Sequence, residues 1–365
     1  MVSTKLPKIT IPKLNLPFLR PQRLAVGLDI GSHSIKMCQL AEAAGGYQLL
    51  ALGNALLPLG AVEDGILQDA AAVGQVISSL VKNLAIAGNK VAISISGYSV
   101  IVKKINLAVM PEKDLETHIH SEAEQYIPFD IDDVYLDFQD LKTNATGEER
   151  TDIMLVAAKR DVVDSYLEMT RSAGLKTVVV DVDAFALENA FEANMDLKEN
   201  IALIDIGASK ININVIARGT SILTRDVVLG SRQLTEEIQQ RLGVSYEEAE
   251  SLKIGAAPPG DNQEVISEIF ASACGQWVAE IKRAIDFYYA NNPDEILGKL
   301  FLSGGGAKVK GLAEYLGAET GITVEIFNPF HQVSASPATI DPGYLDHIGP
   351  EMAIAAGLAT RPVPF

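Results

Sequence analysis

One short string occurs twice in this chain. Asp29-Ile-Gly-Ser-His-Ser-Ile-Lys36 and Asp205-Ile-Gly-Ala-Ser-Lys-Ile-Asn212 each follow an apolar strand and lead into a second strand, 176 residues apart. Each reads as a tight strand–turn–strand, in which Gly31 or Gly207 permits a backbone that other residues resist and successive N–H groups are left facing outward. Such a nest suits phosphate oxygens. An aspartate at the strand end suits hydrated Mg²⁺, and Lys36 adds a point charge for phosphate. Either turn alone is equally a plain Asp-Gly turn former. Two copies in matching contexts point to related half-molecules facing a shared cleft.

A third element, Ser303-Gly-Gly-Gly306, joins an apolar strand at 300–302 to a helix at 310–319. Glycines there let a ligand approach the backbone, although a simple glycine turn fits as well. The spacing is not that of a dinucleotide-binding Gly-x-Gly-x-x-Gly, and no Walker A sequence is present. Between these landmarks, periodicity predicts helices at 69–86, from Pro111 to about Ile127, and at 161–173, 183–195, 232–253 (two) and 263–290. Strands are expected at 24–29, 35–40, within 91–109, at 152–159, at 176–182 and at 201–215. Strands alternating with helices make this an α/β protein.

Composition narrows the function classes. Cys38 and Cys274 are the only cysteines, which excludes a disulfide scaffold and fits a reducing cytoplasm. The net charge is −17, from 30 basic and 47 acidic residues. Residues 1–23 hold Lys5, Lys8, Lys13, Arg20 and Arg23 and no acid, so the remainder is more acidic still. That balance argues against nucleic acid as a partner. Prolines 7, 12, 17 and 21 interrupt any signal-peptide core, and the uncharged run 43–62 carries too many turn formers for a membrane span. His118 and His120 point to different sides of one helix. The aspartates between 130 and 140 lack the spacing of a calcium loop and read as a solvated acidic face. Asp181 and Asp183 read either as a base or as caps of the helix that follows.

In their order, the two Asp-Gly turns and the glycine run resemble the actin/Hsp70/FtsA superfamily. Within it, the chain is similar to the PilM family of type IV pilus assembly. The supporting stretches are Val26–Lys36, Glu122-Ala-Glu-Gln-Tyr-Ile-Pro-Phe129, Asp181–Asn189, Leu203–Gly207 and Leu302–Gly306, spread over about residues 24–360. The resemblance implies an actin-like ATPase fold, with two RNase H-like domains around a nucleotide cleft and an FtsA-type inserted subdomain. It divides the chain into a basic tail (1–23), subdomain 1A (24–95, 178–200 and 346–361), 1C (96–177), 2A (201–230 and 299–345) and 2B (231–298). It implies ATP or ADP with Mg²⁺ as cofactors. Asp29 and Asp205 would organise the metal through water, and Asp205 is also the catalytic candidate. Gly31, Ser32, His33, Ser34 and Lys36 would bind phosphates, with Gly207, Ala208 and Ser209 closing on the other side. Gly304, Gly305 and Gly306 would lie beside the adenosine, and Lys253 would reach the ribose or base. His33 stands where the family usually has a small hydroxyl residue.

The implied function is a cytoplasmic scaffold, peripheral to the inner membrane. It would be at most a slow Mg-dependent ATPase that binds the N-terminal cytoplasmic segment of PilN, other platform and motor components, and itself. The rival is a sugar or acetate kinase-like phosphotransferase on the same fold. Three readings of the tail remain open. It is a disordered arm, or a basic contact with anionic lipid. Alternatively, since Lys13-Leu-Asn-Leu-Pro-Phe-Leu-Arg20 resembles the PilN N-terminal motif, it occupies PilN's groove.

Overall fold

Each copy of the repeat forms the hairpin its sequence implies. In the first, β1 (Val26–Ile30) and β2 (Ser34–Ala43) are antiparallel, and the Gly31 N–H donates to the Ser34 carbonyl at 3.2 Å. In the second, β11 (Asn200–Ile206) and β12 (Ile211–Ala217) are antiparallel, and the Gly207 N–H donates to the Lys210 carbonyl at 2.9 Å. Every residue of β1 and of β12 is buried, as in central strands covered on both faces, Asp29, Asn212 and Asn214 included. The computed structural model describes residues 23–143, 149–195, 199–336 and 340–363. The expectations for the tail, apart from Arg23, lie outside the described residues.

The repetition extends to topology. The first sheet adds β3 (Gly46–Leu56), β6 (Lys90–Ile95), β10 (Lys176–Val182) and β16 (Val333–Ser334), in the order β10-β6-β1-β2-β3-β16. The second adds β13 (Thr220–Val227), β14 (Leu297–Ser303) and β15 (Thr323–Ile326), in the order β13-β12-β11-β14-β15. In both, the first strand of the repeat has a parallel neighbour on one side, β6 or β14, and an antiparallel meander on the other. A two-strand ribbon, β4 (Val62–Glu63) with β5 (Ile66–Leu67), leads into α1 (Ala70–Asn83). That helix and α3 (Arg160–Ser172) cover the first sheet, burying Ile77, Tyr166 and Met169 against Leu28, Ile35 and Ile93. The second sheet is covered by α5 (Ser231–Leu242), α6 (Tyr246–Lys253), α7 (Gln263–Asn291) and α8 (Leu312–Thr320), with Trp277 and Ile281 against Ile204 and Ile213.

Two helices join the halves. α4 (Asp183–Glu192) and α10 (Ala353–Leu358, after α9 at Pro342–Ile348) contact both sheets and each other. α10 approaches both α4 and β1 more closely than a side chain allows: a Cβ on Gly357 would stand 1.7 Å from the Ala186 carbonyl oxygen, and one on Gly27 of β1 2.0 Å from that of Ala355.

The inserted segment forms a third sheet, β7 (Val100–Ala108), β8 (Val134–Asp140) and β9 (Arg150–Lys159), in the order β7-β9-β8. Across it lies α2 (Glu112–Ala123), which buries Leu115, Ile119 and Ala123 on the expected face. The acid-rich run 130–140 is largely strand β8: Val134 and Leu136 turn toward the core while Asp133 and Asp137 face solvent. The capping reading of Asp181 and Asp183 is corrected, because Val182 occupies the cap position of α4 and no side chain caps it. Asp181 instead accepts from Arg361 Nε at 2.6 Å. No helix of the described residues is long and apolar enough to cross a membrane.

Candidate functional site

The two repeat turns line one cavity of about 190 Å³. Asp29, Gly31, Ser32, His33, Ser34 and Lys36 come from the first turn, and Asp205, Gly207, Ala208 and Ser209 from the second. Lys253, Gly304 and Gly305 complete the expected set. Gly306 does not line the cavity. It lies buried behind it, where a Cβ would stand 2.2 Å from Ile206 Cγ2. Gly304 has φ +79° and passes equally close to Ile206, so the turn after β14 needs glycine to cross the end of β11.

Three carboxylates and two lysines share this interior. Lys36 Nζ lies 3.0 Å from Asp29 Oδ2, its direct cross-strand neighbour. In the second copy Asn212 stands opposite Asp205, and the lysine is two residues nearer the turn. Lys210 therefore reaches Asp183 at the start of α4, at 2.6 Å, and among the described residues Asp205 has one side-chain partner, the neutral Ser303 Oγ, at 2.8 Å. The protonation equilibria follow. Burial would raise the Asp183 carboxyl, but Lys210 and the Ser94 and Ser96 hydroxyls overrule it and hold it below the usual carboxylate range. Burial pushes Asp205 up to about 6, because Ser303 offsets only part of the desolvation. Burial alone would depress Lys36, yet Asp29 holds it above its ordinary value.

The rim carries more positive charge. Lys253 is buried at the end of α6 and donates to Glu250 Oε1 at 2.6 Å and Thr235 Oγ1 at 2.9 Å, so the bland reading of an exposed helix lysine fails. Burial outweighs Glu250 and lowers its pKa. His33 stacks on Tyr246, ring centroids 5.8 Å apart. Arg232 Nη2 donates to the Ser32 carbonyl at 2.6 Å, across the cleft. Lys210, Arg232 and Tyr246 are cleft residues that motif reading did not assign, whereas Asp183, weighed there as a base or a cap, lines the cleft as the partner of Lys210. Lys210 adjoins the second turn and carried a local signal; Arg232 had none, as it meets Ser32 from 200 positions away.

Beside the cleft lies a second, more apolar groove of about 380 Å³. Val100, Ile101 and Val102 of β7 form one wall and Thr224, Arg225 and Asp226 of β13 another, and both strands are sheet edges. Pro128 and Phe129, the end of the Glu-Gln-Tyr-Ile-Pro-Phe stretch, also line it. Ser96 and Lys210 border both cavities. No group of three His, Cys, Asp or Glu side chains among the described residues could hold a metal ion directly, and His118 pairs only with Glu122, at 3.3 Å.

Comparison with known proteins identifies the fold and the family. The solved PilM-PilN type IV pilus biogenesis complex matches with TM-score 0.83 at 29% identity, over 94% of this chain and 100% of the other. MreB5 of Spiroplasma citri bound to ADP matches with TM-score 0.52 at 12% identity, over 92% and 94%, a likeness of fold alone. The cell division protein FtsA of Bacillus subtilis (strain 168) is 28% identical over 99 residues, which span 27% of this chain and only 22% of FtsA. These neighbours give the chain an actin-like ATPase fold. A family model described as type IV pilus assembly protein PilM matches residues 27–363, nearly the whole chain, which therefore belongs to the PilM family.

Proposed function

We propose that this protein is a nucleotide-binding scaffold of the type IV pilus assembly platform, with ATP or ADP in the cleft and the N-terminal segment of PilN in the groove beside it. The single observation that carries the nucleotide reading is the pair of repeat turns facing one cavity with lysines and exposed backbone donors. MreB5, of the same fold, was solved bound to ADP. Gly31–Lys36 and Gly207–Ser209 take the phosphates in this reading, while Lys253, Gly304 and Gly305 flank the adenosine. Asp205, with only a hydroxyl partner among the described residues, and Asp29 are hard oxygen donors that fit Mg²⁺ held through its waters. When bound, the ion would neutralise charge on the phosphates.

The groove suits an extended peptide. Its two edge strands offer backbone donors and acceptors, and Pro128, Phe129 and Val100 offer apolar contact. The PilM–PilN complex, a relative along the whole chain, supports PilN as the occupant. PilN would then hold the protein at the cytoplasmic face of the inner membrane, with 96–177 as the inserted subdomain beside the peptide. Contacts with motor components and with other copies extend the same reading.

A phosphotransferase is less well supported. Asp183, the candidate base that lines the cleft, is held by Lys210, and Asp181 is tied to Arg361 outside it. The same saturation of Asp183 argues for slow hydrolysis. Calorimetric titration tests the assignment: the protein binds Mg-ATP, folded Asp29→Ala does not, and a PilN N-terminal peptide binds the wild type. Unchanged ATP affinity in Asp29→Ala would overturn the site, and rapid phosphate transfer to a sugar or acetate would favour the rival.

A further inference from the structure

Arg232 is placed by one half of the molecule and holds the other. Gly230, before α5, lies so close under the second turn that a Cβ would stand 2.3 Å from the Ala208 carbonyl oxygen. The N–H groups of Ser231 and Arg232 bond to the carbonyls of Gly207 and Ala208 at 2.9 and 3.0 Å. From that anchor the guanidinium crosses the cleft and donates through Nη2 to Ser32 in the first turn. Its Nε is buried with no hydrogen-bond partner, and Arg232 makes no ion pair among the described residues. A buried donor left unmatched in this way is unfavourable, a penalty that an acceptor arriving in the cleft removes.

The field around it selects the acceptor. Although the chain carries −17 overall, His33 beside Arg232 has a depressed pKa, through burial first and then through Arg232, with Lys36 and Lys253 adding to it against the opposing pull of Glu250. No acid stands in the first turn of α5. A rigid guanidinium fork with spare donors, next to two turns rich in backbone N–H, matches the oxygens of a polyphosphate.

We propose that Arg232 is a polyphosphate-binding residue of this cleft, whose side chain clasps the two turns together over the bound phosphates. This rests on the nucleotide reading above and adds a specific ligand to it. With the anion in place, Nε and the remaining donors take phosphate oxygens while Nη2 keeps Ser32, so release requires the clasp to break. The test titrates ATP and inorganic tripolyphosphate into wild type, Arg232→Gln and Arg232→Lys, and follows nucleotide release by stopped flow. Arg232→Gln should weaken both ligands at least 10-fold and speed release, in a variant whose circular dichroism and cooperative unfolding show it folded. Arg232→Lys keeps the charge without the fork, so it should recover part of the affinity while release stays fast. Equal affinity and release in all three proteins would overturn the proposal with nucleotide binding intact. Arg232-dependent binding of tripolyphosphate but not of ATP would sustain it while the nucleotide reading fails. A wild type that binds neither ligand overturns both.

Discussion

At the residue scale, the division of two lysines among three carboxylates sets the chemistry of the cleft. Lys210 stands where the second repeat departs from the first, and that shift of two positions hands its charge to α4 rather than to Asp205. Removing one partner of a buried pair strands the other. Lys210→Gln should cost about 3–5 kcal/mol in urea unfolding, and Asp183→Asn in the same protein should recover most of it. A single-variant loss below about 1 kcal/mol would show that Lys210 does not offset the buried charge of Asp183. The repeat itself was legible in the sequence because strand, turn and lysine are consecutive. The Asp183–Lys210 and Arg232–Ser32 contacts were not, since each joins residues far apart in the chain whose meeting depends on how the halves pack.

At the scale of elements, α4 and α10 pack the two halves together, and their closeness is testable. A Cβ on Gly357 would meet backbone of α4 at 1.7 Å, so Gly357→Ala should cost about 3 kcal/mol. Gly275→Ala in α7 meets only the Tyr315 hydroxyl at 3.7 Å and should stabilise the protein by about 0.5–1 kcal/mol. A smaller loss for Gly357→Ala than for ordinary surface variants would contradict the packing. On α4, burial raises Glu188 to about 7 from 4.5, with Ser221 Oγ at 2.7 Å offsetting only part. An acid raised on folding favours the protonated fold, so its contribution is full below pH 4.5 and is lost as pH rises through 7. Glu188→Gln should therefore stabilise the protein at pH 8 by on the order of 2 kcal/mol, and hardly at all at pH 4. Equal effects at both pH values would remove the carboxyl as the cause. Helices and buried strands were legible through their apolar period. β8 was hard to see because Asp137 and Asp140 lie within it and Asp130, Asp132 and Asp133 lead into it, and β13 because most of its residues are only half-buried at a sheet edge.

At the scale of the molecule, cleft and groove share a wall, and that wall spans both halves. Lys210 and Ser96 face both cavities. Asp226, on β13 of one half, accepts from the Gly97 N–H of the other at 2.6 Å and from Asn212 at 2.7 Å. Burial would depress Lys210, but Asp183 on the cleft side and Asp226 on the groove side together hold it charged. A phosphate that draws on Lys210 thus alters the charge facing Asp226, and a peptide wedged between β7 and β13 strains the Asp226–Gly97 bond. Two sites that bias one contact must influence each other equally in both directions. The ratio of ATP affinities with and without saturating PilN peptide should therefore lie in the range of about 5- to 150-fold in the wild type. Asp226→Ala removes the shared contact at the border of the groove and leaves both repeat turns and the apolar groove residues in place. In that variant each ligand should still bind alone, and the ratio should fall to near one. A ratio unchanged by Asp226→Ala would place the coupling elsewhere, and a wild-type ratio of one would mean that the shared wall is rigid.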